Sequence, residues 1–364
     1  MKIKQIFALL AASAALASCS FLDEYDPNAT TAGNFYTSEA DIQTSLNGVY
    51  QSLTQSYYYP YNYYFTDVRA HVTVVTDSGA SSGIPYQFYN YTLTEENQYV
   101  YNRYTQLFKS ISRANTLLAH LDDVSYSTPE ARNTYEAEAR FIRALTYFHL
   151  VTEWGDVPLV LKRLETKDEV EANNYRRPKR EVYQAIFDDL DYVLQSPLTD
   201  FQPAAECGRA SKAAAMALYG KVALQCACDE DLASEKSQFL TTAIDKLGQV
   251  WGMRPFSELA DIPYNQLWDL STQKSCPESL FQVNFVQGNA DLGSIWNYQF
   301  GPSTTGITSY KIGQMHNMTT REVYDSFDPS DVRRDYLRET TVAGVTYYHT
   351  MKYADLECGA NGYG

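Results

Sequence analysis

The sequence predicts a mainly α-helical scaffold of paired helices, interrupted by a long loop-rich insertion with one short strand and followed by an irregular second half. Three observations predict it. Apolar residues recur at helical spacing in six segments up to about Val250, each with its own start signal. Between the first two segments, residues 57–91 lose that period and are dense in Tyr, Asn, Gly and Ser. Past Pro255 the chain turns to loops and short apolar runs such as Ser279–Val286.

The elements follow in order. Ser38 with Asp41 three residues on reads as a capping box, and Ile42, Leu46, Val49 and Leu53 continue at helical spacing. The insertion carries one strand-like run, Val72–Val75, in a surface excursion of turns and aromatics of the kind that is often functional. Thr94 opens the second helix, with Val100, Tyr104, Leu107, Ile111, Ala114, Leu118 and Leu121 on one side. Thr128-Pro129 is an N-cap followed by proline at the first helical position, and Gly155 and Pro158 end that helix after Trp154. Pro178 opens a fourth helix through Val182, Ile186, Leu190 and Val193. Ser211 caps a fifth, rich in small residues that permit close packing, and a sixth spans about Ser234–Val250. One more is expected over Thr320–Phe327. Starts near 95, 129, 178 and 211 give two helix pairs of tetratricopeptide-like type, without a clean 34-residue period.

The front end differs from the rest. Lys2 and Lys4 precede an apolar run from Ile6 to Ala17, too short to span a bilayer as a mature helix. Leu16-Ala17-Ser18-Cys19 resembles a bacterial lipobox, whose cysteine is lipidated after cleavage. The expected division is therefore a signal peptide over 1–18, a helical N-terminal part over 19–250 and a C-terminal part over 251–364. Cys19 is the expected site of acylation, palmitate included, and Ser20–Pro27 its tether.

The chain has 44 acidic against 29 basic residues, and cleavage would remove two of the bases, Lys2 and Lys4. That balance argues against nucleic acid and anionic membrane surfaces as partners. Beyond Cys19 remain Cys207, Cys226, Cys228, Cys276 and Cys358, an odd set that cannot all pair within the chain. Cys226 and Cys228 read as buried small residues of a helix. No zinc-type spacing occurs, and no metal or cofactor is expected. Tyrosine is abundant at 31 residues, and its flat apolar face with a hydroxyl suits partly wet recognition surfaces.

Several stretches, taken in order, resemble the SusD/RagB family of nutrient-binding outer-membrane lipoproteins of Bacteroidetes. Phe21-Leu22-Asp23, Pro27, Phe35-Tyr36 and Asn47-Gly48-Val49-Tyr50 look like the family's opening. Arg113-Ala114-Asn115 is similar to its next helix. The most specific match is Ala139-Arg140-Phe141, Arg143-Ala144 and Trp154-Gly155-Asp156-Val157-Pro158. The stretches 208–224, 278–285, 318–337 and 347–355 resemble later parts. Tyr104 and Phe108 stand where members often carry Trp and Tyr. The resemblance also implies further helices beyond Gly364, so the C-terminal part is expected to be incomplete. It implies a lipid-anchored protein facing the cell exterior, which binds an oligosaccharide or a peptide and delivers it to a SusC-like TonB-dependent transporter, with no catalysis. The alternatives are a surface glycan-degrading enzyme and a transporter lid without its own ligand site.

Sugar recognition needs aromatic faces with amides, carboxylates or arginine nearby. Two regions offer them. One is Tyr57–Tyr91, with Asp67, Arg69, Tyr86, Tyr89 and Asn90; the other holds Asp291, Trp296, Asn297 and Tyr298. For Trp296, packing against the scaffold competes with a ligand platform. The Tyr57–Tyr64 cluster offers itself equally as a transporter-facing surface. Trp154 and Trp268 read as core, and Arg140 and Arg143 as partners of inter-helix acids. Gly79–Gly83 matches G-x-S-x-G around Ser81, but Ile84-Pro85 follows where a nucleophile elbow needs a helix. Asp188, Asp189 and Asp191 fall on a predicted solvated face, and the five histidines are scattered. No catalytic residue is assigned.

Overall fold

The computed structural model describes residues 35–73, 75, 83–289, 292–300, 318–342 and 344–354. Cys19, Ser81, Asp291 and Cys358 lie outside them.

Helix α1 spans Glu39–Gln51 behind the predicted box: Ser38 Oγ accepts from Asp41 N, and the Asp41 carboxylate accepts from Ser38 N at 2.9 Å. Its stripe Ile42, Leu46 and Val49 is fully buried. The short α2 covers Tyr86–Tyr89. Helix α3, Gln98–Ala119, starts later than Thr94 because Asn97 is the better cap. The Asn97 Oδ1 accepts from the Tyr99 and Val100 amides, while its Nδ2 donates to Ile84 O and Gln87 Oε1 in the insertion. Helix α4 spans Pro129–Trp154 with Thr128 as cap, and Gly155 ends it at φ +71°, where side chains are disfavoured. Helix α5, Lys167–Asn173, was not anticipated, although Thr166 and Glu169 form a capping box legible in the sequence. Then come α6, Lys179–Gln195; α7, Lys212–Ala227; and α8, Lys236–Met253.

These helices stack in sequence: α3 on α4, α4 on α6, α6 on α7, α7 on α8, with α1 across α3 and α4. One continuous apolar core runs through α1, α3, α4, α6 and α7. The small residues of α7 act as expected. At Gly220 an added Cβ would lie 2.6 Å from Leu247 Cγ, so the two helices approach closely only without a side chain there.

Charges are buried between the helices. Arg143 donates from Nε and Nη2 to Asp189 at 2.8 and 2.7 Å, and from Nη1 to Asn115 Oδ1 at 2.7 Å. Arg140 adds a bond to Asp189 and another to Glu136. The inter-helix role read for Arg140 and Arg143 thus holds. The reading of Asp189 does not: it is 2% exposed. It stands three residues after Ile186 on the stripe that carries Val182, Leu190 and Val193, so it faces α4, while Asp188 stays exposed. Cys226 is buried, and burial pushes its thiol up to about 12. Cys228 is exposed, because it lies past the end of α7.

The second half holds α9, Trp296–Phe300; α10, Arg321–Ser326, capped by Thr320; and an antiparallel hairpin of β1, Leu337–Val342, with β2, Val345–Thr350. The predicted strands fail among the described residues. Val72 is a bend with an exposed side chain, and Ser279–Val286 is irregular, with a bend at Leu280, and is held by a Gln282 N–H to Cys207 O bond of 3.2 Å. Apolar alternation alone does not supply the neighbour a strand needs.

Candidate functional site, an aromatic flank

The described residues of the insertion are not all a surface excursion. Its described part contributes to a second core of Tyr63, Tyr64, Val68, Val75, Phe88 and Phe300. Tyr58, Tyr63 and Tyr64 are at most 1% exposed and so do not face a partner, whereas Tyr57, Tyr59 and Tyr61 are half-buried. Buried tyrosines need a partner for the hydroxyl, and Tyr58 meets Thr146 Oγ1 at 2.9 Å while Tyr63 donates to Gln299 Oε1 at 3.0 Å.

Arg103 of α3 fastens this core to the helices. Its Nε and Nη2 reach the two oxygens of Glu153 on α4 at 2.6 and 2.5 Å, and its Nη1 donates to Tyr58 O at 2.6 Å. The guanidinium also lies 4.7 Å from the centroid of the Phe65 ring.

The two aromatic regions singled out in the sequence converge here. Trp296 Nε1 donates to Pro60 O at 2.9 Å, and Trp296 packs edge-on against Tyr353 at 4.8 Å. Asn297 is 2% exposed and Tyr298 is half-buried. So Trp296 is a packed wall in the second core. Trp154 and Trp268 are half-buried and packed on other rings. The Tyr353 hydroxyl is pushed up to about 12 by burial, and next by the Asp67 carboxylate near it.

Asp67, Arg69 and Tyr89 lie at the outer edge of this core. Around them runs a column of rings: Tyr86 stacks on Tyr89 at 5.7 Å, Tyr89 on His71 at 4.5 Å, and His71 on Tyr91 at 4.9 Å. His71 Nε2 donates to Tyr89 O at 2.7 Å, and the Tyr91 hydroxyl donates to Arg69 O at 2.7 Å. Both His71 and Tyr91 hold positive φ, +56° and +55°, a backbone region rare for residues other than glycine and common at binding sites. Inner rings spend their faces on one another. Tyr91, at the end of the column and 65% exposed, keeps an open face. The Arg69 guanidinium and the Asn90 amide beside it have no hydrogen-bond partner among the described residues. Sequence reasoning named the segment but missed His71 and Tyr91 as its outer end, since neither positive φ nor stacking leaves a sequence signal.

Chemically the flank offers aromatic faces, a guanidinium, a carboxylate and an amide. Among the described residues no three His, Cys, Asp or Glu side chains gather as a metal site, and no helix is long and apolar enough to cross a membrane. The stacked helices and the aromatic flank packed on them make a helical scaffold with one exposed aromatic surface.

The chain belongs to the SusD-like family: residues 20–224 match the family described as starch-binding, associating with the outer membrane. It is 27% identical over 353 residues to SusD-like protein P2 of Formosa agariphila, covering 94% of this chain and 66% of that relative. It is 26% identical to a SusD-like protein of Bacteroides ovatus over 228 residues, 60% of this chain and 38% of that one. The chain thus spans under two thirds of the length of these relatives. Among solved structures it resembles surface glycan-binding protein A from Bacteroides thetaiotaomicron in complex with laminarihexaose. The TM-score is 0.71 at 18% identity, over 89% of this chain and 72% of that one. A laminarin-binding SusD-like protein gives a TM-score of 0.71 at 24% identity, over 88% and 73%. At these identities the likeness establishes the fold.

Proposed function

We propose that this chain is a surface lipoprotein, anchored through Cys19, that captures an oligosaccharide on the aromatic flank and delivers it to a SusC-like TonB-dependent transporter without converting it. The observation that carries the reading is the Tyr86–Tyr89–His71–Tyr91 column with two positive-φ residues at its outer end. The open Tyr91 face takes the apolar side of a pyranose, while Arg69, Asp67 and Asn90 take its hydroxyls. Trp296 and Asn297 act behind this surface, holding the insertion in place, and half-buried Tyr298 of the same short helix is a further candidate. Relatives named for glycan or laminarin binding support the ligand class, and the lipobox-like leader over 1–18 supports the anchor.

The test is calorimetric titration of the intact protein with laminarihexaose and with maltoheptaose. At least one should bind, Tyr91→Gly and Tyr89→Ala should each weaken it, and no shorter product should form. Binding to neither, or binding indifferent to both substitutions, would count against the flank. Co-purification of a TonB-dependent barrel from solubilised outer membranes tests the partner, and the intact mass tests acylation of Cys19.

A further inference from the structure

A cleft of about 690 Å³ opens between the 264–267 turn, the 332–336 turn and the ends of the hairpin, joined to the flank side through Trp268 and Tyr353. Tyr264 and Tyr336 form one wall, edge to face with centroids 5.2 Å apart. Both are half-buried, and neither hydroxyl has a hydrogen-bond partner among the described residues. The Asn265 amide and the Asp335 carboxylate, also lining the cleft, are likewise without partners. Arg338 donates from Nη1 to the Asp335 and Leu337 carbonyls at 2.6 and 3.0 Å, which fixes the guanidinium at the rim and leaves Nε and Nη2 open. The Lys352 ammonium lies 5.5 Å from the Tyr264 ring centroid and 4.6 Å from that of Trp268. Neither cation has a carboxylate partner among the described residues, in a chain where acids outnumber bases.

We propose that this cleft binds an acidic sugar, a uronate residue of an oligosaccharide. The phenol rings cover the C–H face of the sugar. Asn265, Asp335 and the two tyrosine hydroxyls exchange hydrogen bonds with its hydroxyls. The open edge of Arg338 matches a planar carboxylate in geometry, and Lys352 adds a second positive charge. A neutral sugar would leave the open edge of Arg338 unanswered, and a polyphosphate would bring more negative charge against the Asp335 carboxylate. The proposal rests on the reading that this protein takes oligosaccharides, but it concerns a different set of lining residues.

The experiment is saturation-transfer NMR on the intact protein with trigalacturonate and trimannuronate as probes and laminarihexaose as the neutral comparison. At least one uronate should show transfer at millimolar concentration. Arg338→Gln should weaken it about 10-fold or more, as expected for the loss of a charge-assisted pair, and Lys352→Gln less. Both side chains are at or near the surface, and unchanged melting would confirm that the variants fold. Repeated in the Tyr91→Gly background, where the flank is impaired, uronate transfer should show the same dependence on Arg338 and Lys352. No transfer from either uronate, or transfer that survives Arg338→Gln, overturns the proposal. Loss of laminarihexaose binding alone touches only the flank.

Discussion

Arg103 and Glu153 face each other from α3 and α4 as a two-bond ion pair, with the arginine side chain fully buried and the glutamate 16% exposed. The same guanidinium holds the carbonyls of Tyr57 and Tyr58 at 3.3 and 2.6 Å. One side chain therefore joins the helical scaffold to the insertion that carries the aromatic flank. The pair's value lies in that three-way joint, since a buried ion pair on its own adds little net stability.

Breaking the joint from one side leaves a charge buried without its partner. Arg103→Gln or Glu153→Gln should each cost about 3–5 kcal/mol in urea unfolding. The change should reach the flank too, because the Tyr57–Tyr58 backbone loses its donor. A loss below about 1 kcal/mol in both variants would show that the joint is not needed.

His149 sits beside this joint, with Nε2 3.3 Å from the Tyr59 hydroxyl and Nδ1 3.9 Å from Glu153. Burial, and next the Arg103 and Lys221 charges, lower its pKa from 6.5 to about 3. The folded pKa lies below the unfolded one, so between these values the unfolded chain binds a proton that the folded chain refuses. Its contribution to stability is full above pH 6.5 and declines as pH falls toward about 3, by up to ~1.4 kcal/mol per pH unit. Urea midpoints at pH 7 and pH 5 should differ less in His149→Asn than in the parent chain. Equal slopes would remove His149 as the cause.

The helical scaffold was legible because its signals are local. Caps at Ser38, Thr128 and Ser211, proline at 129 and glycine at 155 each act within a few residues. The missed α5 used the same grammar, through Thr166 and Glu169. Burial of Asp189 was legible in principle from its place on an apolar stripe, but its partners Arg140 and Arg143 are more than 45 positions away. The flank was legible only as a region. Its geometry depends on bonds such as Trp296 to Pro60, 236 positions apart, and on positive φ at two residues whose identities do not demand it.

Positive φ at Tyr91 separates the needs of the fold from those of binding. Tyr91→Gly removes a backbone strain of about 1 kcal/mol and also removes the ring and its bond to Arg69 O. Melting should therefore change little, while affinity for the oligosaccharide that binds the flank should fall about 5–10-fold, as for one lost aromatic contact. Melting that drops by many degrees with binding intact would make Tyr91 a structural residue.

The contact of α7 with α8 gives the last test. A methyl group at position 220 would come within 2.6 Å of Leu247 Cγ and 2.8 Å of its Cδ2, closer than carbon atoms approach. Alanine also favours the helix over glycine by about 1 kcal/mol, so propensity and packing act in opposite directions. Leu247 is 39% exposed and can shift part of the way, which limits the overpacking cost to the low end of about 1–3 kcal/mol. Gly220→Ala should thus be neutral to about 1 kcal/mol destabilising. The decisive measurement is the cycle with Leu247→Ala: with that side chain gone, Gly220→Ala should turn stabilising by roughly the propensity difference. If the effect of Gly220→Ala is the same with and without Leu247, close approach at this pair is not what selects glycine there.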